Sequence, residues 1–333
     1  MLRFLTRRLL GTVAMLLGLL LGTFVLTRVL PADPARVAAG LRATPKQVAA
    51  VREQLGLDDP LWRQFFGYLH QMWVGDFGRS FVSQRPVTSD ISQMFPATFE
   101  LVAFSMVLML LIGVPIGFYC ALGRRQGAAT ILRGIAFSAM GVPAFVVALL
   151  AQVIFFGRLG WLPAGGRISG APPTTITHLY TVDSLLTGNF SALGSALWHL
   201  VLPGFSLAIY RAGMVARFTE SQVRKVMEAD HIRTAKAKGL HGLGLVTRHV
   251  ARGSAVPILT IAGLEFGWLL GGSVLVESIY SWPGMGNYIL TSVASFDYNP
   301  VIMCVLVLGS AFAVINFVVD VIQALLDPRV VLR

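Results

Sequence analysis

Three stretches of this chain run for a membrane's thickness without a charge. Leu9 to Thr27 holds 19 uncharged residues, Leu101 to Gly123 holds 23 and Gly134 to Gly157 holds 24. A helix rises about 1.5 Å per residue, so each run can cross roughly 30 Å of hydrocarbon. In that solvent every backbone N–H and C=O must be satisfied within the protein, and a helix does so within the segment. Three more candidate spans follow at about 192–210, about 255–278 (interrupted by Glu265) and about 300–319. The expected fold is all-α and polytopic, with six transmembrane helices. The first run follows Arg3, Arg7 and Arg8 as a secretory signal would, yet a signal's apolar core is usually about 7–15 residues. This run is longer, and PADPA beyond it is a weak cleavage candidate, so it is read as a retained anchor.

The charge distribution orients the spans. Net charge is +11, and with the amino terminus inside, 17 of the 27 Lys and Arg fall on one side. These are Arg3, Arg7 and Arg8, then Arg124, Arg125 and Arg133, then those of 211–252, then Arg329 and Arg333. The loop at about 280–299 on the other side has no Lys or Arg. This is the positive-inside asymmetry, so both termini are expected in the cytoplasm. The translocated segment 31–96 carries seven basic residues and six acids, and long loops cross largely regardless of charge. The basic excess is topological and is not a nucleic-acid footprint. Cys120 and Cys304 lie in different spans and offer neither metal spacing nor a disulfide framework.

The expected organisation is a cytoplasmic tip and first helix over 1–30, an extracytoplasmic loop domain over 31–96, a membrane core over 97–326 that includes the cytoplasmic loop 221–253, and a cytoplasmic tail over 327–333. Within 31–96, TPKQVAAVREQLG carries helix punctuation: Thr44 as cap, Pro45 in the first turn, Gln47 completing a capping box and Gly56 at the stop. Val48, Val51 and Leu55 share one face of that helix. FFGYLHQMWVGDFGRSF then supplies aromatics suited to a membrane interface. The segment reads either as a small cap over the bundle or as a ligand-contacting element. WLPAGGRISGAPPTT in the loop at about 158–191 excludes a long helix. Glycines four apart (Gly18 and Gly22; Gly113 and Gly117; Gly263, Gly267 and Gly271) allow close helix approach, including to a second subunit.

One polar stretch stands out. Residues 221–253 join spans four and five on the cytoplasmic side and contain EADHIRTAKAKGLHGLG. Glu228 and Asp230 at its start and Lys236 and Lys238 at its end suit the helix dipole, and Gly239 suits a C-terminal stop. LGLVTRHVARGS follows, with Leu243, Val246 and Val250 on one face of a second short amphipathic helix. Two explanations fit the residues: a basic loop on anionic headgroups of membrane lipid, or a helix that docks in a cleft on another protein.

IRTAKAKGL followed by RHVARGSAVPILT resembles the cytoplasmic EAA loop of ABC importer permeases, in the dipeptide/oligopeptide (DppB/OppB-type) branch. Ala235 and Gly239 match the general pattern. Arg233-Thr234 replaces its Glu-Ala, and the distance from Gly239 to Pro257 is longer, as is usual in that branch. PADPA, QLGLDDPLWRQFFGYL, GDFGRSF, GVPAFVVALL, RLGWLPAGG, ESIYSWPGMGNYIL and LLDPR resemble the same branch in order along nearly the whole chain. The resemblance implies a type I importer fold. A second related permease would complete the pathway, two cytoplasmic ATP-binding subunits would hold ATP and magnesium, and an extracytoplasmic binding protein would deliver peptide. Arg233, Thr234, Ala235, Lys236, Lys238, Gly239 and Leu240 would then form the ATPase-coupling element, with Thr234, Ala235 and Gly239 at the close contact. The location implied is a bacterial inner membrane. The chain has no Gly-Lys dipeptide and hence no phosphate loop of its own, so it is expected to be no enzyme and to bind no cofactor.

Several further residues invite weighing. Glu265 lies near the centre of span five, where an ionisable group costs roughly 3 kcal/mol on insertion scales. It is a bonded structural group or a pathway carboxylate facing a peptide's amino group. Glu277, Trp282 and Pro283 at the outer end of span five are candidates for an outer gate, against a plain polar terminus. Arg211 and Asp320 lie at depths that would let them pair. Pro115 and Pro143 are expected kinks. The six histidines do not converge at metal-ligand spacing, and GGS at 271–273 has no local base, against hydrolase chemistry. Alternative cargoes for the same machine are a nickel chelate, glutathione or haem. An ion-coupled secondary transporter would show repeats and ionisable groups in both halves, and neither is evident.

Overall fold

The computed structural model describes residues 2–29, 34–39, 43–54, 56–123 and 126–326. Arg124, Arg125, Leu55 and the tail 327–333, named above, lie outside the described residues. Among the described residues the chain is helical, with one isolated bridge between Arg79 and Pro86.

Five helices are long and apolar enough to cross a membrane. They are α1 (Leu2–Val29), α5 (Val87–Leu122), α9 (Phe190–Met227), α12 (Ala251–Ile279) and α14 (Tyr298–Leu326). The expected unbroken third span is instead two helices, α6 (Gln126–Met140) and α7 (Ala144–Ala151), with α7 running on as a wide π-helical stretch over Gln152–Arg158. The two halves bend by 100°, and counted as one span they make six. Pro143 lacks an N–H and holds an extended backbone (φ −59°, ψ 143°), so it stops the helix rather than kinking it.

Helix α9 is the central element and packs along α5, α12 and α6, whereas α1 is peripheral and lies on α14. The core is built by Leu101, Met109, Leu200, Leu207, Phe266 and Leu269 among others. Close approach of α5 and α9 depends on Gly113 and Gly117. A methyl at Gly117 would lie 2.5 Å from the Ala216 carbonyl oxygen and 2.5 Å from Thr219 Cβ. Gly263 and Gly267 likewise admit α14 side chains, while Gly18, Gly22 and Gly271 face open space.

The segment between α1 and α5 holds α2 (Pro34–Ala39), α3 (Pro45–Gln54) and α4 (Leu61–Val74). The capping box forms: Thr44 N donates to Gln47 Oε1 at 2.8 Å and Gln47 N to Thr44 Oγ1 at 3.4 Å. Helix α4 sets Phe65 against Phe24 of α1 and leaves Trp62 and Phe66 exposed. The following loop is pinned to the bundle by Asp297, which accepts from Ser80 Oγ and Phe81 N, both at 2.7 Å. The second external loop carries a short helix, α8 (Tyr180–Leu186).

Candidate functional site

The polar stretch after α9 folds as α10 (Asp230–Ala237). It ends as the residues predict. Gly239 is left-handed (φ +86°), Gly239 N donates to the Lys236 carbonyl at 3.0 Å, and Leu240 N to the Ala235 carbonyl at 3.1 Å. That pair of bonds is a Schellman close, and the left-handed residue is glycine because a Cβ there strains the backbone. Arg233, Thr234, Lys236, Lys238 and Gly239 are exposed. Ala235, expected at the outer contact, turns inward with Ile232 onto Val223, Leu245 and Val250, and Leu240 packs against them. Partly buried Phe118, Ala121 and Leu122 of α5 complete this cluster, so α10 sits on the inner ends of α5 and α9.

The second amphipathic helix is corrected. Gly242–Leu245 (α11) and a π-helical turn over Val246–Val250 run directly into α12. The wide turn shifts the helical phase. Leu245 and Val250 are buried, while Leu243, expected with Val250, is 82% exposed.

Behind α10 the inner ends are tied by charge. Arg133 Nε donates to Glu220 Oε1 at 2.8 Å, Arg224 Nη2 to the same oxygen at 2.8 Å, and Arg133 Nη2 to the Cys120 carbonyl at 2.9 Å. This joins α5, α6 and α9. The spacing of Glu220 and Arg224, four apart on one helix, was a legible signal; the partner from α6 was not.

Half-way along the spans the expected Arg211–Asp320 pair is corrected. Arg211 Nη1 of α9 donates to Glu265 Oε2 of α12 at 3.1 Å, and Asp320 of α14 pairs with Arg8 of α1 at 3.1 Å. Helix α12 packs against both α9 and α14, so it meets Arg211 first.

Residues 113–332 match the family described as binding-protein-dependent transport system inner membrane component, and residues 1–102 match its N-terminal companion. The chain belongs to that permease family. It is 39% identical over 322 residues to the probable D,D-dipeptide transport system permease protein DdpB of Escherichia coli, covering 96% of this chain and 95% of the relative. It is 36% identical to the dipeptide transport system permease protein DppB of Alkalihalophilus pseudofirmus, covering 99% of each chain. It is 37% identical to the glutathione transport system permease protein GsiC of Salmonella choleraesuis, again covering 99% of each. In fold it is similar to a chain of the inward-facing MetNI methionine ABC transporter, with TM-score 0.51 and 15% identity over 69% of this chain and 94% of that one. The permease is thus a multi-pass inner-membrane transport component with the type I importer fold.

At the C-terminal end of α12 Glu277 is fully buried and organises the turn that follows. It accepts from Thr98 Oγ1 at 2.7 Å and from Gly286 N at 2.7 Å, at the start of α13 (Met285–Ala294). Trp282 is 1% exposed and donates Nε1 to the Ala97 carbonyl at 2.9 Å, while Pro283 is exposed. Tyr280 donates to the Ala148 carbonyl at 2.9 Å, and its own carbonyl accepts from Gly166 N at 2.9 Å. Glu277, Trp282 and their neighbours therefore bind α5, α7, α12 and the second external loop into one outer knot. Sequence reasoning missed two of its neighbours, Glu100 and Arg167. Their signal was slight: a carboxylate one residue before an uncharged run, and an arginine in a Gly/Pro loop.

Proposed function

We propose that this permease imports di- and oligopeptides as one half of a transmembrane pathway completed by a second, related permease. The observation that supports peptide cargo is near-full-length identity of 36–39% to permeases named for dipeptide and D,D-dipeptide transport. Two cytoplasmic ATP-binding subunits hold ATP and magnesium and grip α10; this chain catalyses nothing. The exposed Arg233, Thr234, Lys236, Lys238 and Gly239 face the ATP-binding subunit. Ala235 and Leu240 carry closure inward through their contacts with α5 and α9. Both termini lie in the cytoplasm, and an extracytoplasmic binding protein delivers cargo to the outer knot, where Glu277, Trp282 and Pro283 form the gate.

The test is ATP-dependent uptake of labelled dipeptide by the reconstituted four-subunit complex with its binding protein, beside Gly239→Arg. A Cβ at Gly239 meets no atom of this chain within 4 Å but is strained at φ +86°, so Gly239→Ala is the control that carries the strain without the arginine's bulk. Loss of uptake together with loss of co-purifying ATP-binding subunits supports the assignment; unchanged uptake sinks it. Glutathione, itself a peptide, is the second cargo, favoured by the 37% identity to a permease named for it. Competition between dipeptide and glutathione for uptake decides between them.

A further inference from the structure

Arg211 opens on a small cavity half-way along the bundle. The cavity, about 130 Å³, is lined by Pro143, Ala144, Leu207, Tyr210, Arg211 and Trp268 among others. That volume is the share of roughly four waters in the liquid, enough for the charged end of a ligand and too little for a whole peptide. Glu265 lies behind the arginine, with its side chain 4% exposed against 16% for Arg211. The guanidinium carries five N–H donors. Among the described residues one of them, on Nη1, is engaged by a hydrogen bond to protein. Its centre lies 4.7 Å from the Tyr210 ring and 4.8 Å from the Trp268 ring.

An ionisable residue at this depth is costly and is by default a functional candidate, and Arg211 lines a cavity where Glu265 does not. The geometry points to Arg211 as a carboxylate-reading residue of the translocation pathway, its ligand the C-terminal carboxylate of a small zwitterionic peptide. A guanidinium fork matches a carboxylate bidentately. A free inorganic anion would leave the site net negative, because Glu265 already balances Arg211. A zwitterionic peptide carries its own ammonium, so the loaded complex stays balanced, while the Tyr210 and Trp268 rings hold the guanidinium in place. Glu265 is then a positioning residue: it aims the guanidinium and tempers it, so that a ligand can leave as well as enter. Pro143 and Ala144, at the break in the third span, line the same cavity. This inference rests on the peptide reading above.

The experiment is dipeptide uptake by the reconstituted complex carrying Arg211→Gln, Arg211→Lys or the exchange Arg211→Glu with Glu265→Arg. Co-purification of all subunits and thermal stability serve as folding controls. Lysine keeps the charge and the pair but loses the fork, and the exchange keeps the pair but moves the cation away from the cavity. Uptake is expected to fall about tenfold or more for Gln and for the exchange, and several-fold for Lys, as for loss of a charge-assisted hydrogen bond. Uptake within about twofold of wild type for the exchange or for Lys would show a purely structural pair and overturn the inference, since the twofold margin is far below that loss. Should the exchange fail to assemble, the Lys variant decides alone. A wild-type complex that moves no peptide overturns the cargo reading and this inference with it; a wild-type complex that moves peptide, with variants equal to it, overturns this inference alone.

Discussion

Glu100 accepts from Arg167 Nη2 at 2.6 Å with both side chains almost wholly buried, and that contact fastens the second external loop to α5. The carboxylate's other oxygen accepts from Thr181 N at 2.6 Å and Thr181 Oγ1 at 2.7 Å, and the guanidinium lies 3.7 Å from the Tyr180 ring centre. Removing one partner strands a buried charge, which typically costs about 3–5 kcal/mol. Glu100→Ala is therefore expected to lower the melting temperature of the purified permease sharply. The double change Glu100→Leu with Arg167→Met, which removes both charges, should recover most of the loss. Equal melting of the single and double variants would show that the pair does not hold the loop.

The α5–α9 contact makes a steric prediction. A Cβ at Gly117 would press on backbone of α9, which cannot step aside. Gly117→Ala should destabilise by about 1–3 kcal/mol, the usual range for overpacking. Gly18→Ala, where nothing lies within 4 Å, should be neutral or slightly stabilising. Thermal melts in one detergent compare them directly, and similar values for both would contradict the close approach.

After α10 the strain is in the backbone rather than in packing. Gly239→Ala meets no neighbour but must hold φ near +86°, a cost of about 1–2 kcal/mol for a residue with a Cβ. The expected outcome is faster amide exchange at Leu240 and reduced uptake at unchanged overall melting temperature. Exchange at wild-type rate would mean that the Schellman close tolerates alanine.

Asp183 gives the second external loop a pH dependence. Burial alone would raise its pKa. Hydrogen bonds from Thr177 Oγ1, Thr177 N and Ile176 N outweigh burial and hold the carboxyl below its ordinary value. A depressed folded-state pKa contributes stability that is present above the unfolded value, about 3.9, and is lost as pH falls through the folded one. Amide protection over 176–187 should thus hold down to about pH 4 and fall below it. Asp183→Asn should weaken protection at neutral pH and flatten that profile. A loop whose protection is independent of both would show that the carboxylate does not organise it.

Glu277 is asked to satisfy three donors at once: Thr98 Oγ1, Gly286 N and, at 3.4 Å, Asn287 N. Glu277→Ala leaves these groups buried without an acceptor, at about 1–3 kcal/mol for each fully lost bond. The variant should melt early and lose uptake together, and Glu277→Gln should recover part of both. Full uptake by the Ala variant would argue that the turn is held by Trp282 and Tyr280 without it.

By itself the sequence determined the membrane class, the positions of five spans, the capping box at Thr44 and the stop at Gly239, because each follows from hydrogen bonding and burial within a few neighbouring residues. Family membership was legible for the same reason, since its motifs are short and lie in order along the chain. Tertiary structure decided what depends on which helix lies beside which. Arg211 met Glu265 and Asp320 met Arg8 because α12 packs against both α9 and α14, and α1 lies on α14. Ala235 turned inward because its methyl, like Ile232, covers the inner ends of α5 and α9. The third span broke before Pro143 with a bend of 100°, where the sequence predicted one span kinked at that proline. Hydrophobic burial is non-directional and can be counted along a chain, whereas a charge, a wide helical turn or a small residue takes its meaning from a neighbour far away in sequence.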